Sequence, residues 1–206
     1  MASEWKQFNR VTKKIELKDV LSKIIIKEIG ETLDTFFSYK KKSVRPQRTR
    51  LIKDTLSLLG HRKLKDKPKY EVYANRLSPN LTQSMGGIFK NSEWLFDLHW
   101  YTDGKNPYTT LTLPLVMECE WQQKRKGDKV NKFSGIKYDF QKLLVANAEL
   151  RLMIFKVVKQ TDLDELKEYF EDNINNYAHL DKGSKFLFVA FSQRQKTFYY
   201  DLIQKK

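Results

Sequence analysis

The sequence predicts an α/β protein in which a central mixed β-sheet is flanked by helices. In four segments, apolar residues recur every three or four positions, as in an amphipathic helix. In six others they alternate with polar residues or run together, as in strands. The order is helix, helix, strand, strand, strand, helix, strand, helix, strand, strand. Consecutive strands pair as an antiparallel meander, whereas a helix between two strands allows parallel pairing. We therefore expect both kinds of pairing in one sheet.

Turn residues, caps and changes of period set the element boundaries. We expect Gly60 to end the second helix and Thr161 to cap the fourth. Residues 77–87 are expected to form a polar connection. The predicted helices cover residues 16–39, 47–59, 131–147 and 162–177, and the predicted strands cover 69–76, 92–101, 109–121, 150–158, 185–192 and 197–203.

Length and composition favour one folded domain over residues 1–206. The chain is long enough for one full core, and 40% hydrophobic with 31% charged residues is typical of globular proteins. No apolar run approaches the roughly 20 residues needed to cross a bilayer. Cys119 is the single cysteine, so no internal disulfide can form, which agrees with a reducing compartment. We expect a cytoplasmic protein that does not enter the membrane.

The net charge of +14 predicts a polyanionic partner. A positive surface attracts nucleic acid, and DNA is the expected partner with RNA as the alternative. A generally basic surface without a fixed partner is the competing interpretation, since lysine far outnumbers arginine, the better base reader. The residues expected to contact the phosphate backbone are Arg45, Arg48 and Arg50 near the second helix, and Lys124, Arg125, Lys126, Lys129 and Lys132 in a later loop.

An acidic pattern marks the third predicted strand. Alternation places Glu118 and Glu120 on one face, about 7 Å apart, while the opposite face carries Leu113, Leu115, Met117, Cys119 and Trp121. On the preceding strand, Asp97 is expected to share a face with Leu95 and His99, opposite Trp94, Phe96, Leu98 and Trp100. If the two strands pair, Asp97 faces the glutamates. Like charges at this range raise one another's pKa or recruit a metal, and Mg²⁺ (or Mn²⁺) suits carboxylate ligands. The alternative is a solvated acidic sheet face.

The order of these residues and elements resembles the PD-(D/E)XK, or restriction-endonuclease-like, superfamily. The resemblance covers residues 16–158. It implies a core of helix, three strands, helix and strand (αβββαβ), with further N-terminal helices and a C-terminal helix plus hairpin over 160–206. It also implies that Asp97 and Glu118 bind Mg²⁺, with the Cys119 carbonyl assisting. The family usually carries at position 120 a lysine that positions or activates the attacking water. Here that position is Glu120, which we expect to act as a general base or a third metal ligand.

The sequence leaves the roles of several further residues open. Lys137 or Lys142 on the following helix could replace the lysine missing at position 120, and the sequence does not choose between them. Glu28 or Glu31 on the first helix could complete a metal site or simply face solvent. His99 is expected to be structural rather than a substrate contact, and Asp139 to be a surface or packing acid.

Two functions follow from this sequence. The first is a Mg²⁺-dependent endonuclease that hydrolyses DNA phosphodiester bonds through Asp97, Glu118 and Glu120. The second is a non-catalytic module on the same fold that binds nucleic acid or an acidic protein. A homodimer would suit cleavage of both DNA strands, although no sequence feature marks a dimer face.

Overall fold

The structure is a computed structural model that describes residues 4–38, 45–62, 70–84, 95–106, 109–192 and 194–206. Within these ranges, the side chains of residues 34–38, 45–46 and 82–84 are not described. The described residues form five helices and seven strands. In chain order these are β1 (Lys6–Gln7), α1 (Val20–Ser38), α2 (Arg45–His61), β2 (Glu71–Ala74), α3 (Pro79–Ser84), β3 (Leu98–Asp103), β4 (Thr110–Glu120), α4 (Ser134–Leu144), β5 (Leu150–Val157), α5 (Thr161–Asn176), β6 (Lys185–Ser192) and β7 (Thr197–Gln204).

All seven strands belong to one mixed sheet, in the order β1-β7-β6-β5-β4-β3-β2. Strands β2, β3 and β4 form an antiparallel meander. Strand β5 is parallel to both β4 and β6, because α4 and α5 lie in the two connections. Strand β7 returns antiparallel to β6 and pairs with the two-residue β1 at the edge. The predicted α/β class with a mixed sheet is confirmed.

Helices cover both faces of the sheet. Ile25 of α1 and Leu56 of α2 pack in one core with alternate residues of β4, among them Met117. Val116 of β4 belongs to a second core, together with Phe140 of α4 and other aromatic residues of α5 and β6. Because neighbouring residues of a strand point to opposite faces, the two cores lie on opposite sides of the sheet. Residues 114–119 of β4 are therefore buried from both sides.

The predicted alternation of β4 holds except at Leu113. Leu115, Met117, Cys119 and Trp121 all lie in the first core, whereas Leu113 packs against the second. The pairing of β3 with β4 shifts between the Trp100–Leu115 and Thr102–Thr112 pairs, so β4 contains one extra residue there. Such a bulge reverses the facing of the residues beyond it. The prediction assumed unbroken alternation and was wrong at that one position.

Strand β3 is shorter than predicted, and this changes the side of Phe96. The chain bends over residues 95–97 and the strand begins at Leu98. Phe96 consequently packs in the second core, whereas Leu98 and Trp100 pack in the first. The predicted common face of Phe96 and Trp100 was wrong. Trp94, also assigned to that face, lies outside the described residues.

Several helix boundaries differ from prediction, and α4 is three residues shorter than predicted at each end. Helix α1 begins at Val20 rather than at residue 16, because the Asp19 carboxylate caps it by accepting a 2.9 Å hydrogen bond from the backbone N–H of Ser22. Gly60 lies within α2 instead of ending it, and a Cβ there would lie 2.6 Å from Nε1 of Trp100. Gln160, not Thr161, is the N-cap of α5, and its side chain makes no capping bond. The short α3 occupies part of the predicted polar connection.

No helix among the described residues is long and apolar enough to span a membrane.

Candidate functional site

The antiparallel pairing of β3 with β4 brings Asp97 to the predicted glutamates. Leu98, the first residue of β3, is opposite Met117, so the residue before β3 meets the end of β4. Oδ2 of Asp97 accepts a 3.0 Å hydrogen bond from the backbone N–H of Cys119, the residue between Glu118 and Glu120. The three acids therefore meet at the same pair of strand ends. The predicted common face was wrong for Asp97 and Glu118, because Asp97 contacts α2 and Glu118 contacts α4 on the other side of the sheet.

A buried lysine from α2 contacts the other oxygen of Asp97. Nζ of Lys53 lies 3.5 Å from Oδ1 of Asp97 and also donates to the side-chain oxygen of Asn75. Lys53 was not predicted from the sequence, because it lies beside the apolar stripe of α2, which includes Ile52 and Leu56. The available signal was a lysine next to those stripe positions, where burial requires a partner.

Glu118 lies on the opposite face of the sheet and is ion-paired with α4. Oε1 of Glu118 is 2.8 Å from Nζ of Lys142, which in turn lies 3.0 Å from Oδ1 of Asp139. Burial raises the pKa of Glu118 to about 8, with repulsion from Asp139 and Asp97 adding to the shift and Lys142 opposing it. Burial acts to lower the pKa of Lys142, but its bonds to the two carboxylates raise that pKa above its ordinary value.

Glu120 and Asp139 belong to the same electrostatic group. Glu120 is half-buried, and its Oε1 accepts a 2.6 Å hydrogen bond from the backbone N–H of Gln122. Burial raises the pKa of Glu120, and the charges of Asp139 and Asp97 raise it further. Burial likewise raises the pKa of Asp139 against the effect of Lys142. Asp139, expected to be a surface or packing acid, is paired with Lys142 at i,i+3 spacing and adds its charge to this group.

A cavity of about 400 Å³ opens between α2 and these strand ends. Asp97 and Glu120 both line it, whereas Glu118 does not. Three cationic side chains line it as well, and Trp121 contributes aromatic surface. The full lining is Thr49, Arg50, Lys53, Asn75, Arg76, Asp97, Cys119, Glu120, Trp121 and Gln122.

The carboxylates have the chemistry that Mg²⁺ prefers, but they do not form a closed cage. Within the described ranges, no three Asp, Glu, His or Cys side chains are arranged to hold a metal ion. Mg²⁺ in phosphate-processing sites is usually bound by one or two carboxylates together with waters and substrate phosphates. Asp97 and Glu120, which line one cavity, fit that arrangement. Glu118 is engaged by Lys142 instead.

The predicted basic loop is folded onto the helices beside it. Lys132 pairs at 2.9 Å with both Asp162 and Glu165 of α5, and Nζ of Lys124 donates to the Lys129 carbonyl at 3.3 Å. The Arg125 guanidinium lies 3.9 Å from the ring centroid of Tyr138 on α4. Lys126 and Lys129 have exposed side chains.

The predicted arginines near α2 are arranged differently from one another. The Arg48 guanidinium lies 5.5 Å from the Trp121 ring centroid, and Arg50 lines the cavity. The side chain of Arg45 is outside the described residues.

The two candidate acids of α1 lie away from the carboxylate group. Glu31 pairs with Lys13 at 3.1 Å, and Glu28 pairs with Arg62 at 3.6 Å. Each of these acids is therefore directed to a cation outside the cavity, and neither contacts Asp97, Glu118 or Glu120.

The structure also separates the two candidate lysines of α4. Lys142 reaches Glu118, whereas Nζ of Lys137 lies 4.3 Å from the Tyr169 ring centroid. His99 is buried and stacked on Tyr73, with ring centroids 5.0 Å apart, as a packing residue would be.

Comparison of the chain with protein-family models, curated proteins and solved structures gave no significant match. Any function assigned to it therefore depends on the geometry and charge of its own residues.

Proposed function

We propose that the chain is a Mg²⁺-dependent nuclease that hydrolyses phosphodiester bonds of DNA. One observation carries the proposal: Asp97 is bound to the backbone N–H between Glu118 and Glu120, beside a cavity lined by Arg50, Lys53 and Arg76. Carboxylates that bind a metal and cations that bind a phosphate are the two components of metal-assisted phosphoryl transfer.

The topology supports the resemblance to the restriction-endonuclease-like fold. Helices α1 and α2 precede the β2-β3-β4 meander, after which α4 leads into β5, parallel to β4. This is the order of helix, three strands, helix and strand that the resemblance implies. Helix α5 and the β6-β7 hairpin then extend the same sheet.

The proposed roles follow the contacts of each carboxylate. The resemblance implies Asp97 and Glu118 as metal ligands, whereas the cavity favours Asp97 and Glu120 as the pair open to solvent. A bound Mg²⁺ would polarise the scissile phosphate and lower the pKa of a bound water. Glu120, whose pKa is raised by burial, would accept or orient the proton of that water.

Lys142 is the proposed replacement for the lysine that the family carries at position 120. Its Nζ contacts both Glu118 and Asp139, so it brings a positive charge to the carboxylate group from α4 rather than from β4. This charge lowers the repulsion among the acids and helps to hold them near one another.

Incubation of the protein with supercoiled plasmid and Mg²⁺ or Mn²⁺ tests the proposal. We expect metal-dependent nicking that is lost in Asp97→Ala, in Glu118→Ala and in a triple variant that also changes Glu120. Glu31→Ala, which removes a surface acid of α1, should cleave like the wild type. Retained metal-dependent cleavage in both single variants would refute the assignment.

A non-catalytic binding module is the second candidate, and the Lys142 contact favours it. This ion pair neutralises the buried Glu118 without a metal, as in a site that has lost its chemistry. Calorimetric titration with Mg²⁺ or Mn²⁺ separates the two candidates. Heat of binding that disappears in Asp97→Ala supports the nuclease, and no metal binding together with intact DNA binding supports the module.

A further inference from the structure

We propose that the cavity beside Asp97 is a phosphate subsite in which Arg50 and Arg76 bind a nucleotide phosphate. The identification of the ligand as a nucleotide rests on the proposed function. The proposal assigns a separate binding task to residues outside the carboxylate group.

Three cationic side chains give the cavity its positive charge. Arg50 and Lys53 come from α2, and Arg76 follows β2. Lys53 is buried and already contacts Asp97 and Asn75. Arg50 and Arg76 are exposed, and among the described residues neither makes an ion pair with a carboxylate. Two guanidinium groups are therefore available to an anion that enters the cavity.

The side chain of Arg50 is hydrogen-bonded to the backbone of Arg76. Nε of Arg50 donates a 3.1 Å hydrogen bond to the Arg76 carbonyl oxygen, which holds the chain after β2 against α2. A guanidinium group has five N–H donors, so this bond leaves the terminal nitrogens of Arg50 able to form the paired hydrogen bonds that phosphate oxygens accept.

Thr49 holds Trp121 in place at the cavity. Its hydroxyl accepts a 2.8 Å hydrogen bond from Nε1 of Trp121 and lies 3.8 Å from the Cys119 sulfur. Trp121 is thereby fixed at the end of β4, next to Glu120. A cavity lined by an aromatic side chain as well as by cations suits an amphipathic ligand, such as the sugar and base attached to a phosphate.

Position and size agree with a single nucleotide. The volume of about 400 Å³ is near the lower end of the range for small-molecule pockets, roughly 300–1,000 Å³. A phosphate held by Arg50 and Arg76 would share the cavity with Asp97 and Glu120, the carboxylates proposed to hold the metal. The phosphate is either an internal diester next to the scissile bond or a terminal monoester, and both present at least two non-bridging oxygens to the guanidinium groups.

Nuclear magnetic resonance of the tryptophan indole N–H groups tests the subsite without any cleavage. The chain has four tryptophans, and a Trp121→Phe variant assigns the signal at the cavity. In EDTA, we expect thymidine 5′-monophosphate to shift the Trp121 signal in a saturable way, whereas thymidine should not. The double variant Arg50→Gln/Arg76→Gln should weaken binding about tenfold or more.

Arg62→Gln is the matched control, because Arg62 follows the other end of α2 and pairs with Glu28 outside the cavity. The subsite is overturned if the double variant binds the nucleotide as the wild type does, or if Arg62→Gln weakens nucleotide binding equally.

Short oligothymidylates with and without a 5′-phosphate separate the two possible sources of the phosphate. Tighter binding of the phosphorylated strand indicates a terminal monoester, and equal arginine-dependent binding indicates an internal diester. Nucleotide binding that persists in a protein unable to cleave plasmid would support the subsite and reject the nuclease.

Discussion

At the level of single residues, the acids at the ends of β3 and β4 are stabilised in different ways. Asp97 accepts a backbone N–H and contacts Lys53, Glu118 pairs with Lys142, and Glu120 accepts the Gln122 N–H. A buried carboxylate is costly without such partners. Lys53 and Lys142, which come from different helices, therefore allow the three carboxylates to lie close together without a metal. Their contacts also determine which carboxylate oxygens remain available to a ligand.

The proposed role of Lys142 predicts that cleavage needs a positive charge next to Glu118. Lys142→Met should reduce cleavage by about 10²-fold or more, because that charge is removed. Lys142→Arg keeps the charge, and we expect it to retain at least part of the activity. Plasmid cleavage rates at saturating Mg²⁺ measure both effects. Lys137→Met, on the same helix but above the Tyr169 ring, is the control. A Lys142→Arg variant no more active than Lys142→Met would contradict the role.

The raised pKa of Glu118 predicts a pH-dependent stability. Burial favours the protonated form of Glu118 in the folded protein and raises its pKa to about 8 against the opposing effect of Lys142, whereas the unfolded chain has the ordinary pKa near 4.5. The contribution of this group is therefore fully present below pH 4.5 and is lost as the pH rises through 8, by up to about 1.4 kcal/mol per pH unit. Urea denaturation of the wild type and of Glu118→Gln from pH 5 to 8 should show a smaller decline in the variant. Parallel declines would mean that Glu118 is ionised throughout, and Glu31→Gln serves as the surface control.

The candidate site was only partly predictable from single residues. Alternation along one strand, together with one assumed pairing, sufficed to bring Asp97, Glu118 and Glu120 to the same strand ends. Lys53 and Asp139 could not be found in this way, because their roles depend on how α2 and α4 pack on the sheet. Such packing depends on contacts between residues far apart in the sequence, and the spacing of apolar residues within one helix or strand does not reveal those contacts.

At the level of elements, α4 is positioned by the loop that leads into it. The backbone N–H of Gly135 donates a 3.1 Å hydrogen bond to the Gln123 carbonyl. A Cβ at position 135 would lie 2.5 Å from the Gln122 carbonyl oxygen, so only glycine permits this approach. Since α4 carries Lys142 and Asp139, the distance between β4 and α4 determines whether they reach Glu118.

Gly135→Ala should therefore separate α4 from the end of β4. We expect a decrease of roughly 1–3 kcal/mol in the free energy of unfolding, since the new contact is with backbone and cannot be relieved by a side-chain rotation. Urea denaturation measures the decrease. Gln141→Ala, an exposed position on the same helix, should change stability by less than about 0.5 kcal/mol. An unchanged midpoint for Gly135→Ala would show that the loop accommodates the methyl group and does not position α4.

Element types were more predictable than their ends. The helical period and strand alternation identified the sheet and its major helices, because each long element buries a regular set of apolar residues. The errors occurred where a single contact overrides the period. Asp19 caps α1 four residues later than predicted, Trp100 packs against Gly60 within α2, and a bulge at Leu113 changes the facing of β4.

At the level of the whole molecule, the basic residues behind the net charge of +14 differ in what they contact. Lys132 is committed to Asp162, a buried carboxylate that also accepts backbone N–H groups of Val158 and Lys159. Lys126 and Lys129 lie on the same loop with exposed side chains. The net charge therefore overstates the number of cations free to meet a polyanion.

This division predicts which lysines govern DNA binding. Lys126→Gln/Lys129→Gln should weaken binding to duplex DNA, and the slope of log affinity against log salt should fall by about 1 for each lysine–phosphate ion pair that the substitutions remove. Lys132→Gln should leave that slope unchanged but lower the free energy of unfolding, because it leaves Asp162 without its cation. Fluorescence anisotropy across a salt series, with urea denaturation of the same variants, measures both quantities. If Lys132→Gln lowers the salt slope as much as the double variant does, Lys132 binds DNA rather than Asp162 and the loop is not fixed to α5.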